Sequence, residues 1–336
     1  MKHGMSPLVA GPWIALSGVV SCLLALAGCS QPSLLITPVS ARRDMVEFEV
    51  HRDAAFARDK IALIDLSGVI MNSSGWQLFG EGDNPVSRFQ EQLDLARRDS
   101  AVKAVILRVN SPGGTVVASE LMHAELSHFR KSTGKPVVAM FMDVAASGGY
   151  YVACACDEIV AQPSTVTGSI GVIMQMFDVS GTMKLIGVQG DAITSGAYKD
   201  AGSPFRPMRP EERAHFQTLV DSMYEKFVNV VAAGRPNLKE EDVRRLADGR
   251  VWTADQAVAI GLVDRVAGMR ETIDHVKHRV GSRGVRVVRY DRPLAFRPNY
   301  YARTDAPGGG DVNVINIDMP AVLDAATPRF MYLWRP

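Results

Sequence analysis

Short apolar runs of strand length alternate with helically spaced segments along the middle of the chain. Lys60 to Ser67 (KIALIDLS), Val102 to Val109 (VKAVILRV) and Pro136 to Met142 each read as a strand. Between the first two, Phe89, Leu93 and Leu95 recur at near-helical spacing within Val86 to Arg98. Ser74 to Pro85, with Gly75, Gly80 and Gly82, reads as a loop fed by the first strand. Glu120 to Phe129 follows as a helix, and Gly149 to Cys156 as a small-residue helix leading into a strand at Glu158 to Ala161. Tyr224 to Ala233 and Asp255 to Ile260 are later helices, the second stopped by Gly261. This order predicts an α/β domain with a buried sheet over residues 59–270, then a helix and strand over 271–296. Beyond about Pro293 the pattern fades, and 297–336 reads as a Pro/Gly-rich tail with a final aromatic cluster of Phe330, Tyr332 and Trp334.

The first 28 residues read as an address. Lys2 precedes an uncharged apolar run that ends in Leu26, Ala27, Gly28 and Cys29. That is the pattern of a signal peptide, and small residues before a cysteine resemble the lipobox of bacterial lipoproteins. The expectation is a lipoprotein signal peptide over 1–28, a lipidated Cys29 as first mature residue, and an anchor linker over 29–58. The alternative is an uncleaved transmembrane helix over Leu8 to Ala27, about 20 residues and long enough to span a bilayer. Both place the remaining chain outside the cytoplasm, on the periplasmic side of a cell envelope. The inner-membrane location belongs to the transmembrane alternative, while Ser30 after the lipobox favours the outer membrane.

Composition narrows the function classes. A net charge of +1 without basic blocks argues against a nucleic-acid surface or a polybasic membrane patch. Four cysteines are too few to staple 336 residues, so packing must hold the fold. Cys154 and Cys156 lie two apart on one predicted helix and face different ways, which suits buried thiols better than a disulfide or a metal site. Met174, Met176 and Met183 read as packing residues or as the lining of an apolar groove. No phosphate loop, metal motif or nucleotide fingerprint is found, so no cofactor and no metal are expected.

The candidate chemistry sits at glycine-rich joints. Asn110 to Gly114 (NSPGG) ends a predicted strand, where paired glycines permit either a plain turn or backbone amides aimed at an oxyanion. Ala145 to Gly149 (AASGG) puts Ser147 at a helix N-terminus, a place for an N-cap or for a nucleophile. A nucleophilic serine needs a base. His123 and His128 lie beside Glu125 and Arg130 on what reads as an exposed helix face, which supports a Ser/His/Asp triad poorly. Lys199, among the small residues of GAYKDAGSP, is either a solvated loop lysine or an amine held neutral by desolvation and able to act as general base.

The segments VNSPGG (Val109 to Gly114), DVAASGGYYVA (Asp143 to Ala153), TGSIGV (Thr167 to Val172), GAYKDAGSPFRPM (Gly196 to Met208) and GRVWTADQAVAIGLVD (Gly249 to Asp264) resemble, in order, the bacterial signal peptide peptidase A family. The resemblance implies a Ser/Lys peptidase with a ClpP/crotonase-like fold of repeated ββα units, assembled into rings. It implies Ser147 as nucleophile, Lys199 as general base, Ser169 as the lysine's hydrogen-bond partner, and the Gly114 and Gly148 amides as the oxyanion hole. One serine and one lysine per chain match the half-length branch, in which neighbouring protomers share each site. The implied substrates are signal peptide remnants or misfolded exported proteins. A non-catalytic assembly or scaffold protein, or an acyl-thioester enzyme, is the competing expectation for such a fold.

Overall fold

A computed structural model of the chain describes residues 44–73, 76–77, 80–81, 84–292 and 330–334. The expected signal peptide and Cys29 lie outside the described residues. In chain order the elements are β1 (Val46–Arg52), β2 (Asp59–Ser67), β3 (Trp76–Gln77), β4 (Gly80–Glu81), α1 (Pro85–Arg98), β5 (Val102–Ser111), β6 (Gly113–Thr115), α2 (Val116–Thr133) and β7 (Val137–Ala146). Then follow α3 (Gly148–Ala153), β8 (Glu158–Ala161), β9 (Val166–Gly168), β10 (Ile173–Met174), α4 (Ser180–Leu185), α5 (Pro210–Gly234), α6 (Glu240–Leu246) and β11 (Val251–Thr253). The last are α7 (Ala254–Ala259), β12 (Arg265–Val266), α8 (Met269–Arg279), β13 (Val285–Asp291) and β14 (Phe330–Leu333).

The main sheet runs β1-β13-β2-β5-β7-β8-β12, with β9 paired to the far end of β7 and β11 to β9. Pairing from β13 through β12 is parallel, as expected where helices connect successive strands; β1 and β11 add antiparallel edges. Strand, short strand and helix recur as β2 with β3–β4 and α1, and as β5 with β6 and α2, so the ββα repetition is present. Strand periodicity divides the core between the two faces of the sheet. Ile61, Leu63, Ile106 and Met140 pack toward Ile273 and Val276 of α8, whereas Ala62, Ile64, Leu107 and Phe141 join the larger cluster with Phe89, Leu126, Tyr150 and Phe227. Asp65 on β2 lies partly buried between the buried Arg108 of β5 at 2.6 Å and Arg289 of β13 at 2.8 Å, a charge partnered on both sides.

Local signals explain the helix limits. Asn84 Oδ1 accepts from the Val86 and Ser87 amides ahead of Pro85, which starts α1; Gly134, left-handed at φ 66°, stops α2. Two stretches differ from the sequence reading. Residues 46–52, within the expected linker, pair with β13 as an edge strand. Residues 330–333, within the expected tail, form β14 at the centre of a second sheet, β10-β14-β6.

Candidate active site

Ser147 occupies the joint between β7 and α3 with φ 53° and ψ −117°. A residue bearing a Cβ adopts such a backbone only when its surroundings impose it, at about 1–3 kcal/mol. The surroundings do so through two bonds. The Ser147 amide donates to the Gly168 carbonyl at the end of β9, and its own carbonyl accepts from the Tyr151 amide, both at 2.8 Å. The side chain makes no capping bond, so the capping alternative is replaced by a strand-to-helix elbow. Its Oγ is buried and, among the described residues, has no hydrogen-bond partner.

Two glycines meet at this elbow because larger residues would not fit. A Cβ on Gly114 would fall 1.9 Å from the Ile70 carbonyl oxygen, an approach that only glycine permits. A Cβ on Gly148 would lie 2.4 Å from Ser119 Oγ and 3.1 Å from both the Gly114 amide nitrogen and the Tyr332 carbonyl oxygen. The Gly114 amide, the first turn of α3 and the Tyr332 carbonyl therefore converge on one point. Ladder alternation explains how that carbonyl arrives. Trp334 donates to the Pro112 carbonyl at 2.8 Å and Tyr332 lies opposite Gly114, so Tyr332 and Gly114 form the next hydrogen-bonded pair, in which Gly114 N–H donates to the Tyr332 carbonyl.

Ser169 follows the glycine that fastens Ser147. It too has a positive φ, 50°, is buried, and is pinned by donation of its amide to the Arg250 carbonyl at 2.8 Å. Ser147, Gly148, Gly114 and Ser169 are thus gathered in one place. Lys199 is not. It lies exposed on a turn closed by its amide donating to the Gly196 carbonyl at 3.1 Å, and it makes no bond to the Ser147 hydroxyl. Among the described residues nothing packs over this turn, which leaves the amine exposed. Its neighbourhood is apolar yet uncovered: Leu185 is 88% and Ile186 70% exposed, and Phe177, Ile193, Tyr198 and Phe205 are exposed as well.

A feature missed in the sequence fixes this turn from below. Glu212, fully buried in the first turn of α5, accepts from Arg206 at 2.6 Å and from the Arg209 guanidinium and backbone amide. Arg206 also bonds Asp200 Oδ2 at 2.7 Å and Arg209 bonds the Ala197 carbonyl, bracketing Lys199 on both sides. The Arg206 hydrogen bonds, helped by those from Arg209, hold the Glu212 carboxyl down to about 2 despite burial. The signal in the sequence was Glu212 three residues after Arg209, ahead of a long helix, a capping pattern.

His123 is half-buried with its ring edge-on to Tyr151 at 5.3 Å, not on an exposed face as expected, while His128 is exposed. Burial lowers the His123 imidazole to about 4, leaving it neutral. Cys154 and Cys156 are buried free thiols, and burial raises Cys154 to about 12. Among the described residues no cluster of histidine, cysteine and carboxylate side chains could hold a metal ion, and no helix is long and apolar enough to cross a membrane.

An α/β sheet that delivers a serine on a left-handed elbow beside converging glycine amides is the scaffold of a serine hydrolase. Comparison with known proteins narrows the class. Residues 129–283 match the model of peptidase family S49. The chain is 38% identical over 231 residues to an Enterococcus faecium protein named as a signal peptide peptidase SppA, covering 69% of this chain and 67% of that protein. It is 35% identical over 237 residues to a Methanocaldococcus jannaschii protein named as a protease, covering 70% and 75%, and 35% identical over 225 residues to Protease 4 of Haemophilus influenzae, covering 67% and 35%. The chain belongs to peptidase family S49, the signal peptide peptidase A family, and is a serine peptidase.

Proposed function

We propose that this chain cleaves peptide bonds with a Ser147–Lys199 dyad whose two members come from different protomers of a ring. The observation that carries the reading is the elbow: a buried, unbonded Ser147 hydroxyl on an imposed positive φ, beside the convergent Gly114 and Gly148. Lys199, unprotonated, takes the Ser147 proton as Oγ bonds to the scissile carbonyl carbon. The Gly114 and Gly148 amides bind the resulting oxyanion. Collapse breaks the C–N bond and returns the proton from the lysine to the leaving amine. Water then attacks the ester by the same proton route, freeing the carboxylate and Ser147. Ser169, adjacent to the Gly168 anchor, orients the incoming lysine.

Exposure of Lys199 together with the apolar residues around it supports the sharing of sites, since a neighbour's surface would cover both. The substrates in this reading are signal peptide remnants or misfolded exported proteins, met on the periplasmic side by a chain tethered through lipid on Cys29. A fluorophosphonate probe tests the nucleophile. It should label Ser147 in the assembled protein and fail on Ser147→Ala; labelling at another serine would overturn the assignment. Mass spectrometry of the mature N-terminus tests the tether, and a native chain beginning near Met1 without lipid would remove it.

A further inference from the structure

Among the described residues, Ser147 at φ 53° and Ser169 at φ 50° are the two non-glycine residues with a positive φ, and one peptide unit is bound to both. The carbonyl of the Gly168–Ser169 peptide accepts from the Ser147 amide, and the N–H of the same peptide donates to the Arg250 carbonyl, each at 2.8 Å. Gly168 itself stands at φ 95°, a conformation that glycine adopts without penalty. It lies in β9 between two strands, opposite Ala146 of β7 on one side and Val251 of β11 on the other. The peptide is thus a rung that joins the serine elbow to the edge strand β11.

Nothing in its own chemistry keeps that peptide as it is. Turning its plane over would rotate Gly168 ψ, which costs a glycine little, and would take Ser169 from φ 50° to about −130°, inside the broad region that a residue with a Cβ prefers. The same turn would carry the Gly168 carbonyl away from the Ser147 amide and release the elbow. The orientation is therefore held from outside. A Cβ on Gly168 would fall 2.7 Å from Trp252 Cδ1, 3.4 Å from Trp252 Nε1 and 3.1 Å from the Arg250 carbonyl oxygen, so the indole edge fills the space that the glycine leaves open. The Arg250 guanidinium lies 5.5 Å from the centroid of that ring and is itself held by Asp248 at 2.7 Å. The indole N–H is buried and has no hydrogen-bond partner among the described residues, so shape rather than polar bonding puts the ring there.

We propose that Trp252 is a positioning residue of this peptidase: wedged against Gly168, it latches the Gly168–Ser169 peptide in the orientation that sets the Ser147 elbow and aims Ser169. It acts through Gly168 and not on the substrate. The inference rests on the reading of Ser147 as nucleophile. Without the wedge the peptide turns over, Ser169 relaxes to a negative φ, and Ser147 leaves the geometry that attack requires.

Three variants of the full chain test the latch. Trp252→Ala removes the wedge, Trp252→Leu keeps apolar volume but loses the flat edge, and Trp252→Phe keeps a ring against Gly168. Residue-resolved hydrogen exchange should show the Ser147 and Ser169 amides exchanging at least about tenfold faster in Trp252→Ala and Trp252→Leu, with the amides of β2 and β5 unchanged. For a peptide substrate, kcat should fall about 100-fold in both while KM stays within about threefold, and Trp252→Phe should recover to within about fivefold of wild type. Trp252→Leu decides the matter if Trp252→Ala does not fold. Unchanged exchange at both amides, faster exchange spread evenly through the sheet, a loss expressed in KM rather than kcat, or no recovery in Trp252→Phe would each overturn the latch. The exchange result does not depend on which group is the nucleophile. If a fluorophosphonate fails to label Ser147 in the wild type, the catalytic reading falls while the exchange contrast still reports the latch.

Discussion

The elbow around Ser147 and the turn around Lys199 are opposite kinds of structure in one chain. At the elbow the backbone is fixed by bonds and close packing: Ser147 bonds Gly168, Ser169 bonds Arg250, Gly114 lies tight against Ile70 and Gly148 against Ser119. At the turn the lysine and the large apolar side chains face outward. A protein keeps strain where packing overdetermines the backbone, and exposes apolar surface where a partner completes it. In the reading proposed above, the nucleophile half of the site is thus finished within the chain, and the base half awaits a second surface.

The hardest test of that contrast removes one group from each half. Ser147→Ala and Lys199→Ala should each lower kcat by at least about 10⁴-fold with folding intact, because nucleophile and base act as one unit. Co-expressed, the two variants should regain about a quarter of wild-type activity if each site draws its members from adjacent protomers of a closed ring. Background activity in mixed rings verified by native mass spectrometry would place both members in one chain.

Gly114→Ala attacks the finished half without touching a reacting side chain. Its methyl group has only the Ile70 carbonyl to meet, so β6 must shift and the oxyanion donor with it. Loss of about 100-fold in kcat with little change in KM is expected, together with a lower melting temperature. An active, fully stable Gly114→Ala chain would show that the convergence is incidental.

Glu212→Gln probes how far the turn is held from within. Loss of the carboxylate weakens the grip of Arg206 and Arg209 on Asp200 and Ala197, and kcat should fall about tenfold while KM for a peptide substrate stays within about twofold. Acid provides a second reading. The folded value of about 2 lies below the ordinary 4.5 of a glutamate, so the stabilisation is complete above about pH 5 and disappears as pH falls through 4.5 toward 2. Melting curves of wild type and Glu212→Gln should differ at pH 6 and converge near pH 2. The smallest effect is expected at Leu185→Ser: protomer stability within about 0.5 kcal/mol of wild type, with a shift to smaller assemblies in sedimentation.

The sheet was legible in the sequence because its strands are buried on both faces. Runs such as KIALIDLS and VKAVILRV leave no other reading, and they form β2 and β5. The helices α2 and α5 begin earlier than periodicity suggests: α2 opens on the β-branched Val116 and Val117, which read as strand residues, and α5 on Pro210, Glu211 and Glu212, which carry no apolar stripe. The glycine joints announced turns but not which amides would converge, a matter of long-range approach between residues 70, 114 and 148. Least visible were β1 and β14. Both are short edge or inserted segments whose pairing depends on partners distant in sequence, and β14 follows a Pro/Gly-rich stretch that masks it.

Helix α5 reaches both ends of this design. Glu212 in its first turn grips the lysine turn, and Met223 and Phe227 farther along hold Tyr332 of β14. A helical rise of about 1.5 Å per residue puts roughly 22 Å between Glu212 and Phe227 along one rod. Such a rod acts as a ruler: the spacing between the turn that carries Lys199 and the aromatic seat of Tyr332 is set by a count of residues. An insertion or deletion of a single residue within it would rotate one end by about 100° against the other, so the two tasks are bound to vary together or not at all.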